Sequence, residues 1–282
     1  MRTYLDCIPC FFKQALKAAR IAGANEDIQK KVLDRLASEV LNFPLSSSPP
    51  EMGGIIYRLV KEITEVEDPF KEIKEECNKI ALDIYPDLKD KVAQSKDRLL
   101  TAIRFAAAGN VIDFGVNSSL VIKKEIRGVF NKDFAMCDYR EFKEALHNTK
   151  QILYLADNAG EVVFDRILIE ELNREVIYVV RDKPVINDAL IEDAKFCGID
   201  KIASVVTNGS DAPGTILDLC SKDFLNLYAK AKLIISKGQG NFEGLVGRSD
   251  APIFFLFKAK CPVIANDIGC KVGDIILKYN CK

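Results

Sequence analysis

Two acidic residues and one asparagine lie just beyond predicted β-strands, and their types are those that bind hard cations. Asp157 and Asn158 directly follow the apolar run Ile152–Ala156, and Asp188 follows the next apolar run after a short loop. Carboxylate and amide oxygens suit Mg²⁺, Mn²⁺ or a similar divalent ion better than a soft metal. This pattern therefore indicates a three-ligand metal site that also holds water.

Helix capping is the alternative role for the same residues. Helical segments are predicted to begin near Gly160 and near Ala189, immediately after these positions. Asp and Asn are ordinary N-cap residues because their side chains accept hydrogen bonds from free backbone N–H groups. The residues alone leave both roles open for Asp157, and spacing alone favours the cap for Asp188.

A third polar segment, Lys237-Gly238-Gln239-Gly240-Asn241, also follows an apolar run. Its two glycines would let the backbone approach an anion closely, and Lys237 would add a positive charge. The glycine spacing is neither that of a dinucleotide fingerprint nor that of a P-loop. The segment therefore predicts a phosphate cradle without indicating a nucleoside triphosphate, and a plain tight turn is the alternative.

The residue inventory limits the reactions that the chain could catalyse. The chain has one histidine, His147, and no serine in a nucleophile elbow. A hydrolase of this kind would use water acidified by a metal ion, or a carboxylate nucleophile. Cys7-Ile8-Pro9-Cys10, at a predicted helix start, offers thiol-redox or soft-metal chemistry as another function. A second pair of zinc ligands is missing from the sequence, so a passive structural role is also open.

Composition argues against several classes of partner. The 282 residues carry 40 basic and 41 acidic side chains, and no long basic run indicates a nucleic acid polymer. The longest apolar stretches fall short of the roughly 20 residues that span a bilayer. The first residues do not resemble a secretory signal, and the nine cysteines are an odd number. We therefore expect a cytoplasmic protein with mostly free thiols and no membrane contact.

The pattern of apolar residues changes near residue 148. Apolar residues recur every three or four positions from residue 8 to about 148, which predicts a nearly all-helical region at 1–148. Residues 149–282 alternate β-rich runs with helical segments, which predicts an α/β domain with a parallel sheet. The predicted strands are Ile152–Ala156, Val176–Val180, Ile202–Val206, Leu233–Ser236 and Pro262–Ala265. Ligands bind outside the carboxyl ends of such strands, where the polar segments described above would meet.

Together these motifs resemble the damage-control phosphatases, also known as domain of unknown function 89, over nearly the whole chain. The matching motifs are Cys7-x-x-Cys10, Gly109-Asn110-x-x-Asp113, Leu155-Ala156-Asp157-Asn158-Ala159-Gly160-Glu161, Lys183-Pro184 with Asn187-Asp188, and Lys237-Gly238-x-x-Asn241. The short form with Cys-x-x-Cys looks like the stand-alone archaeal and bacterial subgroup. The resemblance implies a helical region packed on a Rossmann-like α/β domain with a mostly parallel sheet.

The resemblance also implies an activity and a set of site residues. It implies hydrolysis of small phosphate esters, supported by Mn²⁺, Ni²⁺, Co²⁺ or Mg²⁺. By the same matching, Asp157, Asn158 and Asp188 are metal ligands, with Asp157 and Asp188 catalytic. Candidate substrate-binding residues are Asn110, Asp113, Lys237 and Asn241.

Substrate preference does not carry over from the eukaryotic members. Their Lys-Gly-Asp-Leu-Asn-Tyr segment is Lys237-Gly238-Gln239-Gly240-Asn241-Phe242 here. Damaged nucleotides, cofactor precursors and sugar phosphates all fit the resemblance. Three other functions stay open: a non-catalytic metabolite- or nucleotide-binding protein, a thiol-redox or soft-metal protein, and a methyltransferase, an activity that has been attached to relatives.

Overall fold

The computed structural model describes residues 1–109, 133–248 and 251–280 of the chain. Asn110 and Asp113, two predicted substrate-binding residues, lie outside these ranges. Within them, no helix is long and apolar enough to cross a membrane.

The first part of the chain is helical, as predicted. The helices are α1 (Cys7–Ile21), α2 (Glu26–Asn42), α3 (Pro49–Thr64), α4 (Lys71–Gln94) and α5 (Arg98–Ala108). Helices α1 to α3 bury Phe11, Leu36 and Ile56 in one apolar cluster. Residues typical of helix starts define these boundaries: Asn25 accepts a hydrogen bond from the Ile28 N–H, and Pro49 opens α3.

The rest of the described chain forms a sheet with interleaved helices. The strands are β1 (Met136–Cys137), β2 (Gln151–Leu155), β3 (Glu175–Val180), β4 (Ser204–Thr207), β5 (Ile234–Lys237), β6 (Ile253–Lys258) and β7 (Ile275–Asn280). Their order is β1-β7-β6-β5-β2-β3-β4, and only the β6–β7 pair is antiparallel. The predicted α/β class with a mostly parallel sheet is therefore confirmed.

Helices cover both faces of this sheet. They are α6 (Tyr139–His147), α7 (Glu161–Leu172), α8 (Ile191–Phe196), α9 (Lys222–Lys230), α10 (Gln239–Leu245) and α11 (Pro262–Ile268), with 3-10 turns at Ile199–Lys201 and Leu217–Leu219. The strand predicted at Pro262–Ala265 is wrong, because these residues form the start of α11 with Pro262 in its first turn. The apolar residues of that segment face the core from a helix.

Two apolar clusters lie on opposite faces of the sheet. One joins side chains of α4, α5 and α7 to one sheet face, and the other covers the opposite face with residues such as Phe224 and Phe242. The first cluster contains residues from both sides of position 148, and β1 lies before that position. The division into domains 1–148 and 149–282 stays a prediction, with a core that is continuous across it.

Candidate active site

The turn after β2 and the loop after β3 meet at the carboxyl edge of the sheet. The Ala189 N–H donates to the Asp157 carbonyl at 2.8 Å, and the Ala159 N–H donates to the Asn187 carbonyl at 2.8 Å. Asn158 and Asp188 pair as an isolated β-bridge. Backbone hydrogen bonds therefore hold together two polar segments that lie far apart in the chain.

Neither Asp157 nor Asp188 is the N-cap residue of the helix that follows it. Gly160, with a φ of +79°, is the N-cap of α7, and Leu190 is the N-cap of α8. The Leu190 N–H donates a hydrogen bond to Asp193 Oδ2 at 2.9 Å. Capping, the role that spacing favoured for Asp188, is therefore wrong for this residue, and Asp157 likewise ends up outside the helix.

The Asn158 amide joins two carboxylates. Its Nδ2 donates to Asp157 Oδ2 at 2.8 Å and to Glu161 Oε1 at 2.7 Å. Because the amide nitrogen of Asn158 makes these two hydrogen bonds, its amide oxygen is the atom that would bind a cation. Burial, followed by the charges of Glu161 and Asp188, raises the pKa of Asp157 well above its usual range. A divalent ion beside Asp157 would offset this unfavourable charge.

Asp188 is held by a buried guanidinium. Arg181 Nε donates to Asp188 Oδ2 at 2.7 Å, and the Gly214 N–H lies 3.4 Å from the same oxygen. The other Arg181 nitrogens donate to Thr215 Oγ1, to the Ala156 carbonyl and to Asn241 Oδ1. Burial raises the pKa of Asp188, and Arg181 acts against that rise. This aspartate is thus fixed in orientation while its second oxygen, Oδ1, can face a ligand.

Lys237 points into the protein and is fully buried. Its Nζ donates to Glu161 Oε2 at 3.2 Å and to Asp165 Oδ1 at 2.6 Å. Tyr154 and Tyr178, whose rings stack at 5.3 Å, each donate a hydroxyl to Asp165 at 2.7 Å. Burial alone would lower the pKa of Lys237, but the charges of Asp165 and Glu161 outweigh it and raise the pKa above its ordinary value.

Asn241 is also engaged with the protein. Its Nδ2 donates to the Ala156 carbonyl at 2.9 Å and to the Lys237 carbonyl at 2.7 Å, and its Oδ1 accepts from Arg181. These bonds make Asn241 a tie between the ends of β2 and β5. Direct substrate binding by Asn241 and Lys237 stays a prediction. The hydrogen bonds that both residues make within the protein hold neighbouring side chains and strand ends in place.

Gly238 allows the loop after β5 to touch Asp157. Its φ is +81°, and a Cβ added there would lie 2.1 Å from the Asp157 carboxyl carbon. Only glycine fits this combination of positive φ and contact. The sequence predicts that this glycine lets the backbone approach a bound anion. In the structure, Gly238 instead leaves room for the carboxylate of Asp157.

Comparison with known proteins decides the family. A sequence profile described as the damage-control phosphatase ARMT1-like domain matches residues 3–276. The chain belongs to the damage-control phosphatase family. The resemblance predicted from the motifs is confirmed.

Relatives of similar length occur in archaea. A damage-control phosphatase of Archaeoglobus fulgidus is 35% identical, with 96% of this chain and 97% of that protein covered. Damage-control phosphatase PH1575 of Pyrococcus horikoshii is 32% identical with 99% of each covered, and protein MJ0202 of Methanocaldococcus jannaschii is 40% identical with 96% and 93% covered. The crystal structure of PH1575, titled a DUF89 family protein, matches with a TM-score of 0.92 over 100% of both chains.

In this member of the damage-control phosphatase family, the N-terminal helices reach the candidate site. A Cβ on Gly53 of α3 would lie 2.5 Å from Pro213, next to the glycine that contacts Asp188. Burial, then the charges of Asp188 and Cys10, raise the pKa of Tyr57 in the same helix. Cys10 of α1 thus lies near Tyr57 of α3, within the helical region where the sequence predicts it.

A cavity of about 260 Å³ adjoins the loop that carries Asp188. Tyr57 and Phe70 line it from the helical region, and Lys183, Pro184 and Ile186 line it from the loop. Ile186 has a φ of +43°, which is rare for a β-branched residue and marks local strain just before Asp188. Among the described residues that line this cavity, Ile186 is the one that lies nearest to Asp188 in the chain, and the candidate metal ligands themselves do not line it.

The donor set fits a hard divalent cation. Asp157 and Asp188 are buried carboxylates on adjoining segments, and Asn158 adds an amide oxygen. Within the described ranges, no three His, Cys, Asp or Glu side chains form a metal-binding cluster, so two carboxylates, one amide and water would make up the ligands. The described cysteines carry free thiols.

Proposed function

We propose that the protein is a metal-dependent phosphatase that hydrolyses small phosphorylated metabolites. The observation that carries the proposal is the backbone bridge between Asn158 and Asp188 at the carboxyl edge of a parallel sheet, where Asp157 and Asp188 are both buried. Membership of the damage-control phosphatase family supports the same reaction. A divalent ion at these oxygens would polarise the phosphoryl group and acidify water.

The protein's own residues would prepare this reaction by fixing the carboxylates. Arg181 holds one oxygen of Asp188, and the Asn158 amide holds one oxygen of Asp157. Lys237 offsets part of the negative charge that Glu161 and Asp165 place beside the site. Fixed oxygens lower the cost of reorganisation when a phosphate group binds and reacts. We propose Mn²⁺, Ni²⁺, Co²⁺ and Mg²⁺ as the ions that support activity.

Damaged nucleotides, cofactor precursors and sugar phosphates are the proposed substrate classes. The names of the relatives specify the phosphatase family and not a substrate. We propose that the cavity lined by Ile186, two residues before Asp188, accommodates the part of the molecule that leaves with the ester oxygen. A panel of phosphorylated metabolites would therefore rank these classes by kcat/KM.

The test is phosphate release by the purified protein from p-nitrophenyl phosphate, with each divalent ion and with excess chelator. We expect turnover with at least one ion, loss of turnover with chelator, and recovery when the ion is restored. Full activity after exhaustive chelation would contradict the metal mechanism.

The other functions give different results in the same preparation. A non-catalytic binding protein would take up a phosphorylated ligand without releasing phosphate. A methyltransferase would bind S-adenosylmethionine without added metal, which calorimetry would detect.

A further inference from the structure

One buried side chain of the helical region contacts both segments that carry the candidate metal ligands. Asn78 of α4 is buried in the protein. Its Oδ1 accepts a hydrogen bond from the Gly160 N–H at 2.7 Å, and its Nδ2 donates to Asp193 Oδ1 at 2.7 Å. A single amide group therefore links the start of α7 to the start of α8.

The two partners of this amide lie close to the candidate ligands in the chain. Gly160 follows Asn158 by two residues. Asp193 Oδ2 accepts from the N–H of Leu190 at 2.9 Å, and Leu190 itself follows Asp188 by two residues. An amide and a carboxylate thus connect the turn after β2 with the loop after β3.

This connection adds to the backbone contacts between the same two segments. The bridge between Asn158 and Asp188 joins them directly. The side chains of Asn78 and Asp193 join them a second time, two residues further along each segment. A second tie restricts the rotation that one bridge alone would permit. The separation of the ligand oxygens therefore depends on both.

Asparagine is an unfavourable residue for a buried helix position on local grounds. It is a weak helix former, and burial of its amide costs free energy unless the amide is hydrogen-bonded. Lys74, one turn earlier in α4, is also buried, and its Nζ lies 2.8 Å from Asp68 Oδ2 and 3.9 Å from Asp193 Oδ2. Helix α4 thus directs two buried polar side chains at Asp193, which packing against an apolar core does not require.

We propose that Asn78 is a positioning residue of the candidate metal site. It holds the turn after β2 and the loop after β3 at the separation at which Asn158 and Asp188 bind one divalent ion. This inference rests on the proposed function, because it assumes that a metal ion binds between these segments. In this way the helical region contributes to a site whose ligands all belong to the α/β part of the chain.

The test measures Mn²⁺ binding by calorimetry and by the electron paramagnetic resonance signal of free Mn²⁺, in the wild type and in Asn78→Ala. Alanine removes both the acceptor for Gly160 and the donor to Asp193. The Kd for Mn²⁺ should therefore rise by about 10- to 100-fold, as is typical when a residue that orients metal ligands is lost.

A second variant covers the case in which alanine prevents folding. Asn78→Ser keeps a small polar side chain, but its single hydroxyl cannot occupy both positions of the amide. It should weaken Mn²⁺ binding in the same direction. Thermal melts establish that each variant is folded at the temperature of the binding measurement.

Tyr85→Phe is the matched control, because it removes a contact between the same two helices away from the site. The Tyr85 hydroxyl of α4 donates to Glu170 Oε1 of α7 at 2.6 Å. This variant should keep the Mn²⁺ affinity of the wild type. Equal weakening of Mn²⁺ binding in Tyr85→Phe and Asn78→Ala would identify general loosening of the helix pair as the cause and would overturn the positioning role.

Turnover of a phosphomonoester gives a second readout. In Asn78→Ala, the Mn²⁺ concentration for half-maximal turnover should rise in step with the Kd, while KM for the ester at saturating Mn²⁺ should stay near that of the wild type. Unchanged Mn²⁺ affinity in a folded Asn78→Ala protein would overturn the inference, even if the wild type hydrolyses the ester.

The proposed reaction can fail separately from the role of Asn78. A wild type that binds Mn²⁺ in an Asn78-dependent manner, but releases no phosphate with any ion, would contradict the phosphatase function and support the positioning role.

Discussion

The turn after β2 and the loop after β5 leave neighbouring strands at one edge of the sheet. The first carries a buried carboxylate with a raised pKa, and the second follows a buried lysine that is paired with carboxylates. The turn after β2 presents Asp157, whose pKa is raised by burial and by nearby carboxylates. The loop after β5 follows Lys237, whose buried ammonium is paired with Glu161 and Asp165. Carboxylates without a buried lysine partner mark a place where a cation can bind, whereas carboxylates paired with a buried lysine mark a part of the scaffold.

The largest expected effect concerns activity. Asp157→Asn and Asp188→Asn should each lower metal-dependent turnover by about a thousandfold or more, because each removes a charged oxygen donor from the proposed ion. The double variant should lose little more, since residues that act as a unit are strongly non-additive. Measurements of kcat and of metal affinity check this, with exposed Asp200→Asn as the control.

Asparagine is a better replacement for Asp188 than alanine, because its amide oxygen can still accept a hydrogen bond from Arg181. Replacement by alanine would leave the buried Arg181 without its carboxylate partner and would destabilise the fold by about 3–5 kcal/mol. Normal metal affinity and normal turnover in a folded Asp188→Asn variant would remove Asp188 from the proposed ligand set.

Lys237→Met tests the buried lysine that is paired with Glu161 and Asp165. It should reduce the free energy of unfolding by about 3–5 kcal/mol, because Glu161 and Asp165 would then be buried without their cation. Urea denaturation measures the change, and adding Asp165→Asn should recover part of the loss. A stable Lys237→Met protein with impaired substrate affinity would show instead that Lys237 acts on the substrate.

Glu243 should make stability depend on pH near neutrality. Burial raises its pKa to about 7, against the opposing effects of Gln239, the N-terminal ammonium and Lys260. The folded protein thus favours the neutral acid, so this contribution to stability is present at low pH and is lost as pH rises from about 4.5 to about 7.

The matched variant for this effect is Glu243→Gln. It should equal the wild type in stability near pH 4.5 and exceed it by up to about 3 kcal/mol above pH 7. Urea melts at several pH values measure the difference. A difference that does not vary with pH would show that Glu243 titrates normally.

The smallest effect is expected at the thiols. Cys7→Ser with Cys10→Ser should leave turnover close to that of the wild type, because hydrogen bonds from Asn158 and Arg181 position the two aspartates. Cys137→Ser provides an exposed control. A loss comparable to that of Asp157→Asn, in a folded protein, would make the thiols part of the active site.

Local patterns in the sequence predicted much of the fold. The strands at β2, β3 and β5 and the helix start after Gly160 agree with the structure to within about two residues. Strands β1, β6 and β7 are absent from the predicted set. The β6 run is a short, fully apolar segment, which periodicity alone cannot distinguish from a buried helix segment. Pro262–Ala265 shows the reverse error, since four residues are too few to distinguish helix from strand.

The candidate site was harder to predict because its contacts join distant parts of the chain. The motifs pointed to Asp157, Asn158 and Asp188, but no local pattern indicates that Arg181 bonds to Asp188. Asp165 did leave a signal. A single carboxylate within the apolar helix segment Val162–Leu168 predicts a buried partner, which is Lys237.

The stacked tyrosines beside Asp165 provide an optical reporter of this sheet. Burial, then the charge of Asp165, raises the pKa of Tyr154 and Tyr178 well above the ordinary value, so both phenols resist ionisation in the folded protein. The chain contains no tryptophan, so tyrosinate absorbance can be followed without indole overlap. During an alkaline titration, exposed phenols should ionise first, and a late step in ultraviolet absorbance should report when β2 and β3 open to solvent.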